Sequence, residues 1–565
     1  MTSLAAPPGF VLILGALLLP FAKGRLRSGV LLALPLVTLW LVTQVPDGEI
    51  LKVSFLGFEL VPLRADKLSR LFAFVFALMA FVGGLFALRQ ARTTELAAAF
   101  AYAGSAIGVA LAGDLISVFI FWEMMAIGST LVIWCGSPSA RGAGLRYAAI
   151  HLFGGVLLMA GIAGEIAASG TTTFSKLDVS TLPRWLILAG FLINTGAPPL
   201  SAWLPDAYPE ASWSGMVFLS AFTTKAAVYV LLRGFPGVEL LIWVGLFMVF
   251  YGIVYAILEN DMRRILAYSI VNQVGFMVAG IGIGTEMALN GAAAHAFTHI
   301  IYKALLLMSA GSVLFMTGRR KCTDLGGLFR TMPLTTLCGI VGALSISSFP
   351  LTSGFISKSM IAEGAAEQHL ALVWFLLAAA SAGVFLHAGI KFPWFVFFHR
   401  DSGLRPAEPP INMRLAMLLF SALCISLGMA PGTLYAALPY PVAYVPYTAS
   451  HVVSQLQLLL FSGLAFFLML GWLKRTLTIT LDTDWLWRRL GPAVLSRLDR
   501  GADAAWSTLT AGVLFVAGTL NNSLHRHHGP DGVLGRTWPT GTMALWATLM
   551  LCAYLVLSYV GGPLR

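Results

Sequence analysis

Residues 291–313 read GAAAHAFTHIIYKALLLMSAGSV. The stretch is long enough to cross a bilayer, since a spanning helix needs roughly 20 predominantly apolar residues. Its apolar residues run on without a two-residue alternation, which argues for a helix and against a barrel strand. Yet it carries His295, His299 and Lys303 at i, i+4 and i+8, so three titratable groups share one helix face. Neighbours in such a ladder lie about 6 Å apart, which suits proton hopping through side chains and water. A charge at membrane depth costs a few kcal/mol or more and is a functional candidate by default. Two histidines at this spacing can also share a metal ion, but no third hard ligand is at hand. Neither a metal nor a cofactor is expected.

Working outward, such runs recur along the whole chain. Of 565 residues, 58% are hydrophobic and 11% are charged, against about 25% charged in soluble domains. The mean hydropathy is +0.83. The composition predicts an all-α polytopic membrane protein with 14–16 transmembrane helices. The net charge of +11 is spread over short loops and forms no dense basic stretch with interleaved aromatics, which excludes a nucleic-acid binder. Lys23, Arg25, Arg27, Arg89, Arg92, Arg141, Arg319, Arg320, Lys321, Arg400, Arg405, Lys474 and Arg475 fall on one side of the threading. That bias predicts a multi-pass protein of the cell inner (plasma) membrane with its N-terminus outside. The five cysteines include no CxxC pair, and no redox or other catalytic motif appears. If electrons drive this protein, another subunit carries them.

The chain divides into four regions: 1–93, N-terminal helices with an outer hairpin at 45–66; 94–283; 284–434; and 435–565. The last contains a polar segment, 474–540, that suits the membrane surface or a neighbouring subunit. Its HRHH tract, 525–528, reads as a solvated loop.

Other ionisable residues lie at membrane depth. Glu123 has nine residues before it and eleven after it in DLISVFIFWEMMAIGSTLVIW. Lys225 lies in SGMVFLSAFTTKAAVYVLLRG, and Lys358 follows the break predicted by Pro350 and Gly354 in SISSFPLTSGFISKSM. Interrupted helices at this depth line water-filled cavities and ion sites. NTGAPPLSAWLPDAYPE predicts a matching break at Pro199, inside an apolar run at 184–203. His387 and Lys391 are secondary candidates near a helix end.

Several of these motifs coincide in order. LSAWLPDAYPEA…TTKAAVYVLLR, NDMRRILAYSIVNQVGF, HAFTHIIYKALLLMSAGSV and DLGGLFRTMPL…FPLTSGFISKSM resemble the antiporter-like membrane subunits of respiratory complex I and of Mrp-type multisubunit cation/proton antiporters, the D-type class above all. The likeness covers about residues 70–400. It implies two inverted five-helix repeats, here 94–283 and 284–434, each with a broken helix. It also implies a proton relay through Glu123, Lys225, His295, His299, Lys303 and Lys358. The implied partners are other membrane subunits, the lipid bilayer and H⁺, with Na⁺ as the candidate exchanged ion. One position departs: the lysine expected about five residues before Pro199 is Asn194, which puts the first half-channel in doubt. The alternative is a non-pumping scaffold that docks a redox, hydrogenase or inorganic-carbon-uptake partner.

Overall fold

The computed structural model describes residues 6–55, 57–472 and 482–561. Lys474, Arg475 and the first part of the 474–540 segment lie outside the described residues. Among the described residues, fourteen helices are long and apolar enough to cross a membrane, alongside three shorter apolar helices, Gly9–Phe21, Leu182–Thr195 and Pro333–Ile346. The chain forms two compact units, residues 1–484 and 485–565.

In the first unit the polar helices are at the centre and the purely apolar ones at the edge. The spans Gly215–Gly234 and Met262–Ile283 are wholly buried, whereas 22% of the Gly24–Gln44 window is buried. Outer helices turn Leu, Phe and Trp side chains outward, as lipid-facing helices do. Centrally, small residues let backbones touch. A Cβ at Gly275 would lie 2.6 Å from the Gly245 carbonyl oxygen, and one at Gly252 would lie 2.6 Å from that of Tyr268. Without a hydrophobic drive between helices in lipid, such close packing is a main source of association.

Side chains fix the helix ends. Asp114 accepts from the Ser117 amide at 2.8 Å, capping Leu115–Trp134, and from the Val61 amide at 2.7 Å. The second bond holds down the antiparallel hairpin Gly48–Phe55/Phe58–Ala65. The central Glu286–Thr317 helix starts after Gly284 and ends at Gly318, at φ 76° and 67°. Both are left-handed positions that glycine adopts without strain.

Two expectations need correction. Pro199 does not interrupt a spanning helix. Leu182–Thr195 ends at Gly196, and Pro199 lies in the turn before the short Trp203–Ala207 helix. The broken span of the first half comes later. Gly215–Leu219 and Thr223–Gly234 are separated at residues 220–222. In the second half the break is where Pro350 and Gly354 put it, between Pro333–Ile346 and Ser353–Glu367. Gly354 is needed there because any Cβ would collide with the Ser345 carbonyl.

The second unit holds Gly491–His528 and Thr540–Val560. The HRHH tract is the last turn of the first of these helices, not a loop. Its basic side chains complement the negative end of the helix dipole.

Candidate functional site

The site is built from four central helices. Glu286–Thr317 supplies His295, His299 and Lys303, all fully buried. His295 is the best anchored. Its Nδ1 lies 3.1 Å from Ser357 Oγ and its Nε2 3.1 Å from Gln273 Oε1. The Tyr302 hydroxyl donates to the same Gln273 oxygen at 3.1 Å. Thr298 Oγ1 lies 2.9 Å from Ser357 Oγ. One turn on, His299 has no hydrogen-bond partner at either ring nitrogen among the described residues. Its ring centroid lies 6.2 Å from that of His295 and 5.2 Å from that of Tyr302. Lys225, Lys303, His295 and Lys358 all lie within electrostatic reach of it.

The lysines share one mode of support. Lys225 Nζ donates to the Ser220 carbonyl at 2.5 Å and to Thr224 Oγ1 at 3.0 Å. Lys303 Nζ donates to Ser269 Oγ at 2.8 Å and to the Leu266 carbonyl at 3.3 Å. Lys358 Nζ donates to the Ile346 carbonyl at 3.1 Å and lies 4.8 Å from the Phe276 ring centroid. Ser220 and Ile346 close the half-helices before the two breaks, so Lys225 and Lys358 each sit at the negative end of a helix dipole. Among the described residues, none of these lysines forms an ion pair with a carboxylate.

Lys391 repeats the arrangement. Its Nζ donates to the carbonyls of Ala256, at 3.2 Å, Ile257 and Glu259, at 2.6 Å, around the end of Leu240–Leu258. With His387 it lies in the π-helical turn Phe385–Lys391. Both are buried rather than reaching for the surface. Widened turns of this kind often mark functional positions.

A cavity of about 840 Å³ reaches Lys358. Glu363, Glu367, Tyr444, His451 and Gln455 are among its walls.

Glu123 stands apart. It is half-buried in a groove with Phe119, Leu152, Gly155, Val156 and Met159. Among the described residues, its Oε1 has no hydrogen-bond partner and no salt bridge reaches it. It packs directly on Gly155, where a Cβ would displace it. Asn194 is fully buried and, among the described residues, both ends of its amide are without a hydrogen-bond partner, Glu123 included.

Sequence reasoning missed the neutral members: Gln273, Tyr302, Ser357 and Ser269. The VNQ tripeptide, 271–273, amid an apolar run was the one available signal for Gln273.

Residues 112–385 match the family described as NADH:quinone oxidoreductase/Mrp antiporter, transmembrane. The D subunit of a Na⁺/H⁺ antiporter from Alkalihalophilus pseudofirmus is 31% identical over 383 residues, which is 61% of this chain and 77% of that protein. This chain belongs to that family. It is a multi-pass membrane subunit of the Mrp/complex I-like cation/proton antiporter group. The A/B subunit of a probable K⁺/H⁺ antiporter from Rhizobium meliloti is 31% identical over 437 residues, covering 70% of this chain and 43% of that longer protein. Among solved structures, the Mrp complex from Dietzia sp. superposes with a TM-score of 0.74 at 22% identity, over 99% of this chain and 64% of the matched one. That likeness establishes the fold.

Proposed function

We propose that this chain carries protons across the membrane within a multisubunit assembly, along Lys225, His295, His299, Lys303 and Lys358, with Glu123 feeding the first half and Lys391 and His387 as side branches. The observation that carries the proposal is the support of the lysines. Each ammonium is buried at membrane depth and held by neutral carbonyl or hydroxyl oxygens. A lysine locked to a carboxylate stays charged, whereas one held this way can give up its proton and take it back. The breaks at 220–222 and 347–352, each with a lysine reaching back across it, support two repeats over 94–283 and 284–434. The cavity at Lys358 supports exchange with one face of the membrane.

The names of the relatives support a monovalent cation as the exchanged ion, with Na⁺ the first candidate. The test uses everted membrane vesicles holding the whole complex. A preset pH gradient should collapse on adding Na⁺ or K⁺, and should not collapse in vesicles lacking this chain. A scaffold that only docks a partner would leave both preparations alike.

Gly491–His528, 38 residues long, would extend about 57 Å. Its composition would let part of it cross, but that length is nearly twice the ~30 Å hydrocarbon core, and we assign it to the membrane surface as a docking element. Its deletion should strip other subunits from a pull-down. The basic loops support an N-terminus outside, and a cysteine placed in Gly48–Phe55 should then react with an impermeant reagent from outside.

A further inference from the structure

His151 has no place in the relay as described, and the structure gives it one. It is buried at the middle of Ala140–Ser169. Its ring stacks on Tyr147 with centroids 3.9 Å apart and meets the edge of Trp203 at 4.7 Å. Nδ1 lies 3.0 Å from the Tyr147 carbonyl. A carbonyl can only accept, so Nδ1 keeps a hydrogen and the lone pair is on Nε2. Nε2 is buried with no partner among the described residues.

What lies on either side of His151 matters. Gly155, four residues on and therefore one turn along the same face, is the residue on which the Glu123 carboxyl packs. Tyr147, four residues back, points its hydroxyl to Ser129 Oγ at 2.8 Å and to Thr223 Oγ1 at 3.4 Å. Tyr102 joins Thr223 at 2.6 Å. Thr223 opens the half-helix that carries Lys225, whose ammonium donates to the adjacent Thr224. One helix face thus lines up the Glu123 carboxyl, an imidazole with a free lone pair and a set of hydroxyls ending at Thr223, two residues before Lys225. Further buried polar atoms have no partner among the described residues: Trp122 Nε1, Ser201 Oγ and both ends of Asn194. Trp203 donates to the Ile193 carbonyl at 2.9 Å, which ties the Asn194 segment to the ring that flanks His151. Buried polar atoms left over by the protein take ordered water as their partner.

We propose that His151 is the proton carrier of the first half, standing between Glu123 and the Tyr147–Thr223 hydroxyls that lead to Lys225. The inference rests on the relay reading above. Nε2 accepts a proton coming from the Glu123 side, which makes an imidazolium. It then releases the same proton toward the hydroxyl chain and returns to the neutral ring. Nδ1 keeps its hydrogen throughout; the group on the Glu123 side gives up one positive charge and the group on the Lys225 side gains it.

The test measures proton flux per assembled complex in everted vesicles for the wild type, His151→Gln, His151→Gly and Lys358→Ala. Glutamine keeps a donor and an acceptor but holds no transported proton. The expected result is a loss of about tenfold or more in His151→Gln, with recovery of flux in His151→Gly on adding imidazole. Wild-type flux in His151→Gln beside an inactive Lys358→Ala overturns the role of His151 and leaves the relay standing. Loss of flux with no response to imidazole makes His151 structural and also overturns it. Normal flux in Lys358→Ala sinks the relay reading itself, and this inference with it. If His151→Gln lowers assembly, His151→Asn replaces it in the same comparison.

Discussion

Lys225 and Lys358 each follow a break in a helix and each reaches back to a carbonyl of the preceding piece, but the two breaks are made differently. Residues 220–222 contain neither proline nor glycine and no positive φ. The turn is held by Lys225 on the Ser220 carbonyl and by the Thr223 amide donating to the Tyr102 hydroxyl at 2.9 Å. Residues 347–352 contain Pro350, and Ser348 and Leu351 adopt φ of 57° and 67°. A leucine there stores strain of order 1–3 kcal/mol, which surrounding structure must hold. The first break is sealed inside the helix cluster, while the second borders the cavity that reaches Lys358. On the proposed relay, one lysine therefore passes protons inward and the other meets the aqueous face.

The largest effect should come from the second half. Lys303→Ala and Lys358→Ala are each expected to cut proton flux by about a hundredfold or more while the complex still assembles. Everted-vesicle flux normalised to the amount of assembled complex checks this. Normal flux in either variant would erase the asymmetry between the halves. A smaller loss is expected for Gln273→Leu, about tenfold. It strips the shared acceptor from His295 and Tyr302 and leaves both buried without it, a penalty of roughly 1–3 kcal/mol. If Gln273→Leu transports like the wild type, the orientation of His295 is not what sets the rate.

What the sequence revealed, and what it hid, follows the same division. The Glu286–Thr317 helix and its ladder were legible because charges in an apolar run are expensive and therefore conspicuous. The second break was legible because Pro350 and Gly354 advertise it. Pro199 points to the wrong place for the first break, because proline is the conspicuous breaker there, while the true break is closed by side-chain hydrogen bonds that leave no local signature. Gln273, Tyr302, Ser357 and Tyr147 were hidden because neutral polar groups are common in helices and cost little until their partners are known. The position of Glu123 along its helix was readable, but its direction was not. Only packing against Gly155 shows that it faces a groove at the edge of the first unit.

The mildest effects should come from Glu123 and from Asn194, the position where the resemblance implies a lysine. Glu123 is half-buried and makes no ion pair among the described residues, so Glu123→Gln strands no opposite charge there, the outcome that makes single removals from buried pairs severe. A several-fold loss of flux is expected, well short of that in Lys303→Ala. Asn194→Lys alone should change flux by less, within about threefold, provided assembly holds. The informative measurement is the double variant. In the wild type, residue 194 is neutral and does not touch Glu123, so the effects of Glu123→Gln and of an uncharged change such as Asn194→Ala should add. With lysine at 194, a cation enters the same side of the unit at low local dielectric, where opposite charges attract strongly. Glu123→Gln in the Asn194→Lys background should then cost more than in the wild type, with a coupling of about 1 kcal/mol. Such coupling would mean that a lysine–glutamate switch can be rebuilt in the first half and that the native chain works without one. Additive effects would mean that residue 194 cannot reach Glu123 by charge, and that the first half differs from the second by more than one side chain.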